Sequence, residues 1–283
     1  MNAGGSPRRR PLTSRQREVL QAGGQFLQHP PLAMAHRGGA AYGPNVGNEN
    51  SLLAFANAID LGYRYIETDV RVSADGEAFC FHDPDLERVV GLRRPFAELT
   101  ARQIRSLRLR GGEPIPSLAE AFEAFPHVRF NLDAKVDAAV DAVIDVLDRF
   151  DAYHRVLVGS FSAERLRRLR TRRPQAATST SPAESMAFRW GVGPMVTRGI
   201  RAGALCLQVP LRFRGRKVVT ERAVRVAHRQ NLQVHIWTID DAETMHRLLD
   251  IGADGIITDR PDVLKRVLVE RGQWAQAAGD TAE

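Results

Sequence analysis

Cysteine is scarce in this chain of 283 residues, which contains only Cys80 and Cys206. Both lie within short apolar runs that we predict to be strands, so the simplest interpretation is two small buried side chains. Two isolated cysteines give no disulfide framework, and we therefore expect a reduced, cytoplasmic protein.

Long apolar runs are missing as well. No stretch approaches the roughly 18 apolar residues of a membrane span, so we expect no transmembrane segment. Residues 1–30 lack the apolar core of a signal peptide. We predict an N-terminal extension at 1–30, partly disordered because its first ten residues are rich in Gly, Pro and Arg. A single domain at 31–270 and a C-terminal tail at 271–283 follow.

Acidic residues are outnumbered by basic ones, and the formal net charge is +7 with a pI near 10.1. Such a charge is compatible with a nucleic-acid or membrane-surface partner, and a site for phosphate esters also favours a positive field. The basic residues are interpreted as spread over solvated helix faces such as Arg165–Arg173. Because we find no nucleic-acid motif, we expect no nucleic-acid partner. The oligomeric state is left open.

Polar residues suited to acid–base and metal chemistry cluster between positions 35 and 83. His36, Glu67 and His82 each follow a short apolar run, and Asp69 lies two residues beyond Glu67. Short apolar runs bounded by Gly, Asn and Asp are typical of buried strands. Since the carboxyl ends of parallel strands meet at one edge of a sheet, we expect these side chains to converge. Two imidazoles beside carboxylates predict acid–base catalysis next to a divalent cation.

The connection between Glu67 and His82 is too short for a helix. Residues 73–76, Ser-Ala-Asp-Gly, form a predicted turn. We therefore expect the chain to return down the sheet in extended form and to rise again as Ala78–His82. That path places His82 at a strand end equivalent to that of His36.

A further predicted strand, Val128–Lys135, places Asp133 and Lys135 on one face. Together with Glu67 and Asp69, Asp133 offers hard oxygen ligands suited to Mg²⁺ or Ca²⁺. Lys135, like Arg37, is suited to pairing with phosphate oxygens. An ordinary surface ion pair between Asp133 and Lys135 is the alternative interpretation.

Four short motifs follow one another in order within about fifty residues: His36-Arg37-Gly38, Glu49-Asn50-Ser51, Glu67-Thr68-Asp69 and His82-Asp83. They resemble the signature of the glycerophosphodiester phosphodiesterase family, and the resemblance extends from about residue 32 to 268. Three positions depart from the family pattern: Asn48 replaces a proline, Asp133 a glutamate, and Asp240 an asparagine in the phrase that begins at Trp237.

The resemblance implies a division of labour among these residues. His36 and His82 would form the acid–base pair, and Glu67, Asp69 and Asp133 would hold the metal. The substrate would be organised by Arg37, Glu49 and Lys135, to which we add Gln208 and Trp237. The implied reaction converts a small-molecule glycerophosphodiester to sn-glycerol 3-phosphate and an alcohol.

The fold class follows from the alternation of short apolar runs with amphipathic stretches, which predicts a parallel α/β sheet. The length favours closure into a single-domain (β/α)₈ TIM barrel. There is no G-x-G-x-x-G turn, which argues against a dinucleotide-binding fold. We count nine strand candidates for eight places in the barrel. The irregular stretch 181–203 is predicted to be either a loop or short helix over the barrel mouth, or a packing insertion.

Two other functions remain open at this point. A lysophospholipase D-type enzyme on the same barrel would use the same catalytic residues, and the apolar stretch Met186–Met195 favours it. A non-catalytic barrel that binds phosphate esters or a protein partner is the second. The complete set of His36, His82, Glu67 and Asp69 argues against the latter.

Overall fold

A computed structural model of the chain describes residues 10–28, 30–190 and 203–274. Within these ranges, eight parallel strands form one sheet whose first strand pairs with both the second and the last, which closes it into the predicted TIM barrel. The barrel strands are β1 (Leu32–His36), β2 (Tyr65–Val72), β6 (Arg129–Ala134), β7 (Val156–Gly159), β8 (Ala177–Ser179), β9 (Ala204–Pro210), β12 (Gln233–Trp237) and β13 (Gly255–Thr258).

Helices surround the barrel because each carries one apolar face. In the helix Leu52–Asp60, for example, Phe55 and Ala58 are completely buried against the strands. The helices of the described chain are α1 (Ser14–Gly23), α2 (Leu52–Asp60), α3 (Glu87–Val90), α4 (Ala101–Arg105), α5 (Leu118–Ala124), α6 (Ala139–Arg149), α7 (Ala163–Arg172), α8 (Pro182–Trp190), α9 (Glu221–Arg229), α10 (Ala242–Asp250) and α11 (Pro261–Glu270).

Helix starts agree with the sequence at several places. Ser117 caps α5 and forms a capping box with Glu120, whose carboxylate accepts a hydrogen bond from the Ser117 backbone N–H at 2.7 Å. Asp241 caps α10 through the backbone N–H of Thr244 at 2.8 Å. Side-chain caps such as these fix where each connecting loop ends and the next helix begins.

The N-terminal extension contains a helix that we did not predict. Helix α1 and the 3₁₀ turn Gly24–Leu27 lie across the amino-terminal end of the barrel. Phe26 is fully buried, and its backbone carbonyl accepts a hydrogen bond from the Tyr65 hydroxyl at 2.6 Å. The extension therefore closes the amino-terminal end of the barrel, opposite the carboxyl ends of the strands. Residues 1–9, on which the prediction of disorder falls, lie outside the described residues.

The ninth strand candidate is β3 (Ala78–Cys80), which lies outside the barrel. It pairs antiparallel with the upper part of β2, in the register Val70 with Cys80 and Val72 with Ala78. The expectation of a second rising strand was therefore wrong. A turn of four residues can join antiparallel strands only, since a parallel pair needs a crossover of a dozen or more residues. Consequently His82 follows a strand that runs antiparallel to the barrel strands and lies at the carboxyl end of the barrel.

Two small hairpins also stand at this end: β4 (Asp85–Leu86) with β5 (Leu92–Pro95), and β10 (Arg212–Phe213) with β11 (Arg216–Lys217). The irregular stretch 181–203 begins with helix α8, which agrees with the predicted short helix, while residues 191–202 lie outside the described chain. No helix within the described residues combines the length and apolarity needed to cross a bilayer.

Candidate active site

A cavity of about 330 Å³ opens at the carboxyl ends of the barrel strands. This is the end at which TIM barrels place their active sites, because side chains from successive strands converge there. Nine of the ten sequence-predicted site residues line it: His36, Arg37, Glu67, Asp69, His82, Asp133, Lys135, Gln208 and Trp237. The tenth, Glu49, is not among the lining residues and instead contacts Arg37.

Strand register explains why the charged residues meet. His36 is paired with Glu67 across β1 and β2, and Asp69 with Asp133 across β2 and β6. The chain turns sharply after His36 through Gly38, whose φ of +82° favours glycine. A Cβ at Gly38 would also lie 2.8 Å from the backbone of Ala54, so helix α2 can pack directly against this turn only in the absence of a side chain.

His36 is oriented by a carboxylate from the last barrel strand. Its Nδ1 lies 2.7 Å from Oδ1 of Asp259, and its Nε2 lies 3.7 Å from Oε2 of Glu67. A carboxylate only accepts hydrogen bonds, so Nδ1 carries the proton and Nε2 is directed toward the cavity. Burial disfavours the charged imidazole, but the Glu67 carboxylate and the bond to Asp259 outweigh it and raise the pKa of His36 above 6.5.

His82 has a similar but separate support. Its Nδ1 lies 2.6 Å from Oδ1 of Asp83, and Arg88 donates to both oxygens of that carboxylate, at 2.7 and 3.1 Å. Burial lowers the pKa of His82, although the nearby carboxylates of Asp69 and Asp83 oppose this effect. Each histidine thus has its Nδ1 atom held by an aspartate, which fixes the ring and leaves the other nitrogen available.

Of the three predicted metal ligands, Glu67 and Asp69 are buried and Asp133 is partly buried, and cationic groups surround them. Lys135 Nζ lies between Asp69 Oδ1, at 2.8 Å, and Asp133 Oδ2, at 2.6 Å. Arg37 Nε lies 3.1 Å from Asp69 Oδ2. These cations outweigh burial and lower the pKa of Asp69, whereas burial and repulsion from Asp69 raise the pKa of Glu67 to about 7.

The donor set suits a hard divalent cation in its chemistry. Oδ1 of Asp133 is buried and accepts no hydrogen bond from the described residues, and burial raises the pKa of this carboxyl. Glu67 also keeps a raised pKa, because burial and repulsion from Asp69 outweigh the effect of the nearby cations. Yet no three His, Cys, Asp or Glu side chains in the described ranges surround one point closely enough for a metal ion. Lys135 occupies the position between Asp69 and Asp133.

Arg37 belongs to a network of ion pairs that extends from the cavity lining to Glu49 and Arg88. Glu49 accepts a hydrogen bond from Arg37 at 2.9 Å and two from Arg88, at 2.7 and 2.6 Å. Glu49 therefore connects Arg37 to the Arg88–Asp83 pair that supports His82. These contacts place Glu49 as an organiser of Arg37 and Arg88.

Part of the cavity lining is apolar. It is formed by Phe161, Met186, Phe213, Val218 and Trp237. Phe161 packs edge-on against Trp237, with ring centroids 5.7 Å apart, and Lys135 Nζ lies 5.6 Å from the Phe161 ring centre. The site thus has a charged half and an apolar half, which suits a molecule with a phosphate at one end and a less polar group at the other.

Asp259 and Arg88 are site residues that we did not predict from the sequence. Asp259 directly follows the closing strand β13, and a TIM barrel places that strand beside the first, so its position next to His36 was available from the topology. Arg88 sends a long, half-exposed side chain from α3 across to Glu49 and Asp83, and no sequence pattern signals such a contact.

Comparison with known proteins places these observations in a family. Residues 36–263 match the model of the glycerophosphoryl diester phosphodiesterase family. A Mycobacterium tuberculosis protein named as a glycerophosphodiester phosphodiesterase is 40% identical over 263 residues, which cover 88% of this chain and 96% of the relative. A lysophospholipase D of Rattus norvegicus is 25% identical and covers 83% of this chain and 85% of its own length.

Solved structures share the fold. A phosphodiesterase of Oleispira antarctica, determined in complex with the product sn-glycerol-3-phosphate, superposes with a TM-score of 0.72 at 22% sequence identity. The match covers 85% of this chain and 97% of that one.

Proposed function

The chain belongs to the glycerophosphoryl diester phosphodiesterase family, and we propose that it hydrolyses glycerophosphodiesters to sn-glycerol 3-phosphate and an alcohol by paired-histidine catalysis. As a member of this family it is a phosphoric diester hydrolase. The observation that best supports the histidine pair is geometric. His36 and His82 both line one cavity, and each has its Nδ1 held by an aspartate at 2.7 and 2.6 Å.

The chemistry requires two proton transfers. The oxygen of water forms a bond to phosphorus while the bond from phosphorus to the departing alcohol oxygen breaks. A base must take a proton from the water, and an acid must supply one to the departing alkoxide. Imidazole suits both roles because it titrates near neutral pH. His36 and His82, fixed by Asp259 and Asp83, have the type and placement for this pair.

Binding of the phosphate falls to cationic groups in the charged half. Arg37 and Lys135 line the cavity within reach of its carboxylates, and Arg37 is held by Glu49. An arginine whose fork is fixed can hold two oxygens of a phosphate at once, whereas lysine acts as a single charge. We assign the phosphate to these two residues, and Gln208 and Trp237 to the remainder of the substrate.

A divalent cation, Mg²⁺ or Ca²⁺, is part of the proposal. Glu67, Asp69 and Asp133 would hold it, with Asp133 contributing through water because aspartate reaches roughly 1 Å less than the glutamate typical of the family. When bound, such an ion stabilises charge that develops on phosphoryl oxygens. The ion would also offset the negative charge of these carboxylates, which Lys135 and Arg37 neutralise only in part.

A second candidate substrate is a lysophospholipid, because the apolar half of the cavity could accommodate the acyl chain on the glycerol that remains attached to the phosphate. The catalytic residues would be the same, and the reaction would be that of a lysophospholipase D. Phe161 and Phe213, which line the cavity, are both substantially exposed at its mouth.

One panel tests the proposal. Glycerophosphocholine and lysophosphatidylcholine are each incubated with the protein in Mg²⁺, Ca²⁺ or EDTA, and the products are identified. Release of sn-glycerol 3-phosphate from the first substrate supports the proposed function, whereas turnover of the second alone favours the alternative. Undiminished turnover in EDTA, after removal of copurified metal, would refute the metal requirement.

A further inference from the structure

The positive charge of the chain is concentrated in one stretch rather than spread over helix faces, as we had interpreted it. Residues 185–220 contain seven arginines and lysines and no aspartate or glutamate. Because the whole chain has 40 basic and 33 acidic residues, the remainder carries 33 of each. The net charge of +7 therefore resides entirely in this stretch, of which 191–202 lie outside the described residues.

Four of these cations stand together on the β10–β11 hairpin. Arg212 pairs with Lys217 and Phe213 with Arg216 across its two strands, and Arg214 and Gly215 form the turn. Both turn residues have positive φ, +48° and +77°, as expected for a two-residue turn that matches the twist of the strands. The hairpin is therefore a defined backbone structure that holds its basic residues close together.

The hairpin cations have no acidic partners among the described residues. Arg212, Arg214, Arg216 and Lys217 are all exposed, and no ion pair within the described chain involves any of them. Arg212 donates only to the carbonyl of Gly215, and Arg214 lies over the Phe213 ring at 5.6 Å. By contrast, many exposed arginines elsewhere in the chain contact a carboxylate, as Arg225 does with Glu221.

An aromatic side chain projects from the same hairpin at the rim of the cavity. Phe213 is 46% exposed and lines the cavity, and Phe161 on the same rim is 62% exposed. Large exposed apolar side chains beside unpaired basic ones are typical of surfaces that lie on a bilayer. The aromatic groups enter the acyl boundary there, and the cations meet anionic headgroups.

We propose that the Arg212–Lys217 hairpin docks the barrel mouth onto an anionic lipid bilayer, so that the active site opens toward the membrane surface. A duplex nucleic acid would also attract the four cations, but its paired and stacked bases offer no apolar layer for Phe213 and Phe161, and a single strand is left to the binding test below. Docking onto a bilayer is separate from the proposed hydrolysis, because it is binding to a surface and requires no turnover.

The test is co-sedimentation of the full chain with vesicles. One set consists of phosphatidylcholine alone, and in the other about a third of the lipid is phosphatidylglycerol. We expect binding to the anionic vesicles that weakens as salt is raised, and little binding to the neutral ones. No binding to anionic vesicles at low salt would overturn the proposal.

The decisive variant is the triple substitution Arg214→Gln, Arg216→Gln, Lys217→Gln, none of whose positions lines the cavity. Each basic residue near an anionic surface contributes about fivefold to binding, so this variant should bind about 100-fold more weakly. The matched control is Arg149→Gln, Arg229→Gln, Arg266→Gln, which removes three exposed charges near the ends of α6, α9 and α11, at the other end of the barrel. We expect it to bind within about fivefold of the unmodified chain.

Equal losses in the two triple variants would show a non-specific charge effect and would contradict the docking role. Phe213→Ser should weaken vesicle binding while leaving its salt dependence unchanged, since it removes apolar contact and no charge. Binding of duplex or single-stranded DNA that is tighter than vesicle binding, and lost in the hairpin variant, would assign the hairpin to nucleic acid instead. Thermal unfolding of every variant by circular dichroism verifies that each is folded.

Discussion

The Nδ1 atom of His36 lies 2.7 Å from Oδ1 of Asp259, a residue 223 positions further along the chain. Barrel closure makes this contact, because β1 pairs directly with β13. Asp259 is itself held in place, since Oδ1 of Asp240 accepts hydrogen bonds from the Asp259 backbone N–H at 2.8 Å and from the Thr258 hydroxyl at 3.0 Å. The first and last strands thus build one half of the proposed catalytic pair.

Asp259→Asn should lower kcat by about 10- to 10³-fold and leave KM nearly unchanged. The amide can no longer fix the proton on Nδ1, so the His36 ring loses the tautomer that directs Nε2 into the cavity. Steady-state kinetics on glycerophosphocholine measure both constants. Asp262→Asn is the matched control, because Asp262 pairs with Arg260 and does not line the cavity. Equal kcat and KM values for the two variants would show that Asp259 does not support His36 in the reaction.

His36→Ala and His82→Ala should each reduce turnover by about 10²–10⁴-fold, the usual contribution of a positioned acid or base. The double variant should lose far less than the product of the two single effects, because residues that act as a unit are not additive. His127→Ala, on an exposed histidine near the start of β6, serves as the control. Near-normal turnover in either single variant would contradict the paired-histidine mechanism.

Metal affinity should depend more on Glu67 than on Asp133. Asp133 already shares its Oδ2 with Lys135, and its shorter side chain favours contact through water. In calorimetric titrations with Mg²⁺ and Ca²⁺, Glu67→Gln should weaken binding by about 100-fold or more and Asp133→Asn by about tenfold. Asp133→Glu should be tolerated. If Asp133→Asn abolishes binding as fully as Glu67→Gln does, Asp133 is a direct ligand.

His235 should make the fold sensitive to mild acid. It is fully buried inside the barrel, with Nε2 3.0 Å from Oε1 of Gln233, and burial lowers its pKa to about 4. Between pH 6.5 and 4 the unfolded chain takes up a proton that the folded chain does not, so stability falls as the pH falls. This group alone contributes a loss of about 3 kcal/mol across that window.

Urea unfolding at pH 7 and at pH 4 measures this effect. His235→Gln should lose less stability between the two pH values than the unmodified chain does. His127→Gln, which removes an exposed histidine, is measured in parallel. An unchanged difference in His235→Gln would show that the acid sensitivity arises from other groups.

The sequence was sufficient for the barrel and for most of the charged half of the site. Short apolar runs that end in His36, in Glu67 and Asp69, and in Asp133 predicted strands whose ends converge, and the register of β1, β2 and β6 places those residues together. These predictions succeed because side-chain direction along a strand follows from the alternation of residues alone.

Other features depend on contacts that local patterns do not contain. The burial of Phe26 under α1 depends on the assembled barrel. The contacts of Arg88 could not be predicted either, because the position of its charged group depends on the path that a long, flexible side chain takes in the folded protein. The direction of β3, by contrast, was available from the short turn before it, and we predicted that direction wrongly. The charge concentration at 185–220 is present in the sequence, but the position of the hairpin beside the cavity requires the folded barrel.

The most direct test of the central claim is phosphorus NMR of glycerophosphocholine incubated with the protein and Mg²⁺ or Ca²⁺. We predict that the substrate resonance is replaced by that of sn-glycerol 3-phosphate, that proton NMR of the same sample shows one equivalent of free choline, and that His36→Ala leaves the substrate intact. Accumulation of phosphocholine and glycerol would show that the other phosphoester bond is broken. That result, or an unchanged substrate under all metal conditions, would contradict the proposed reaction.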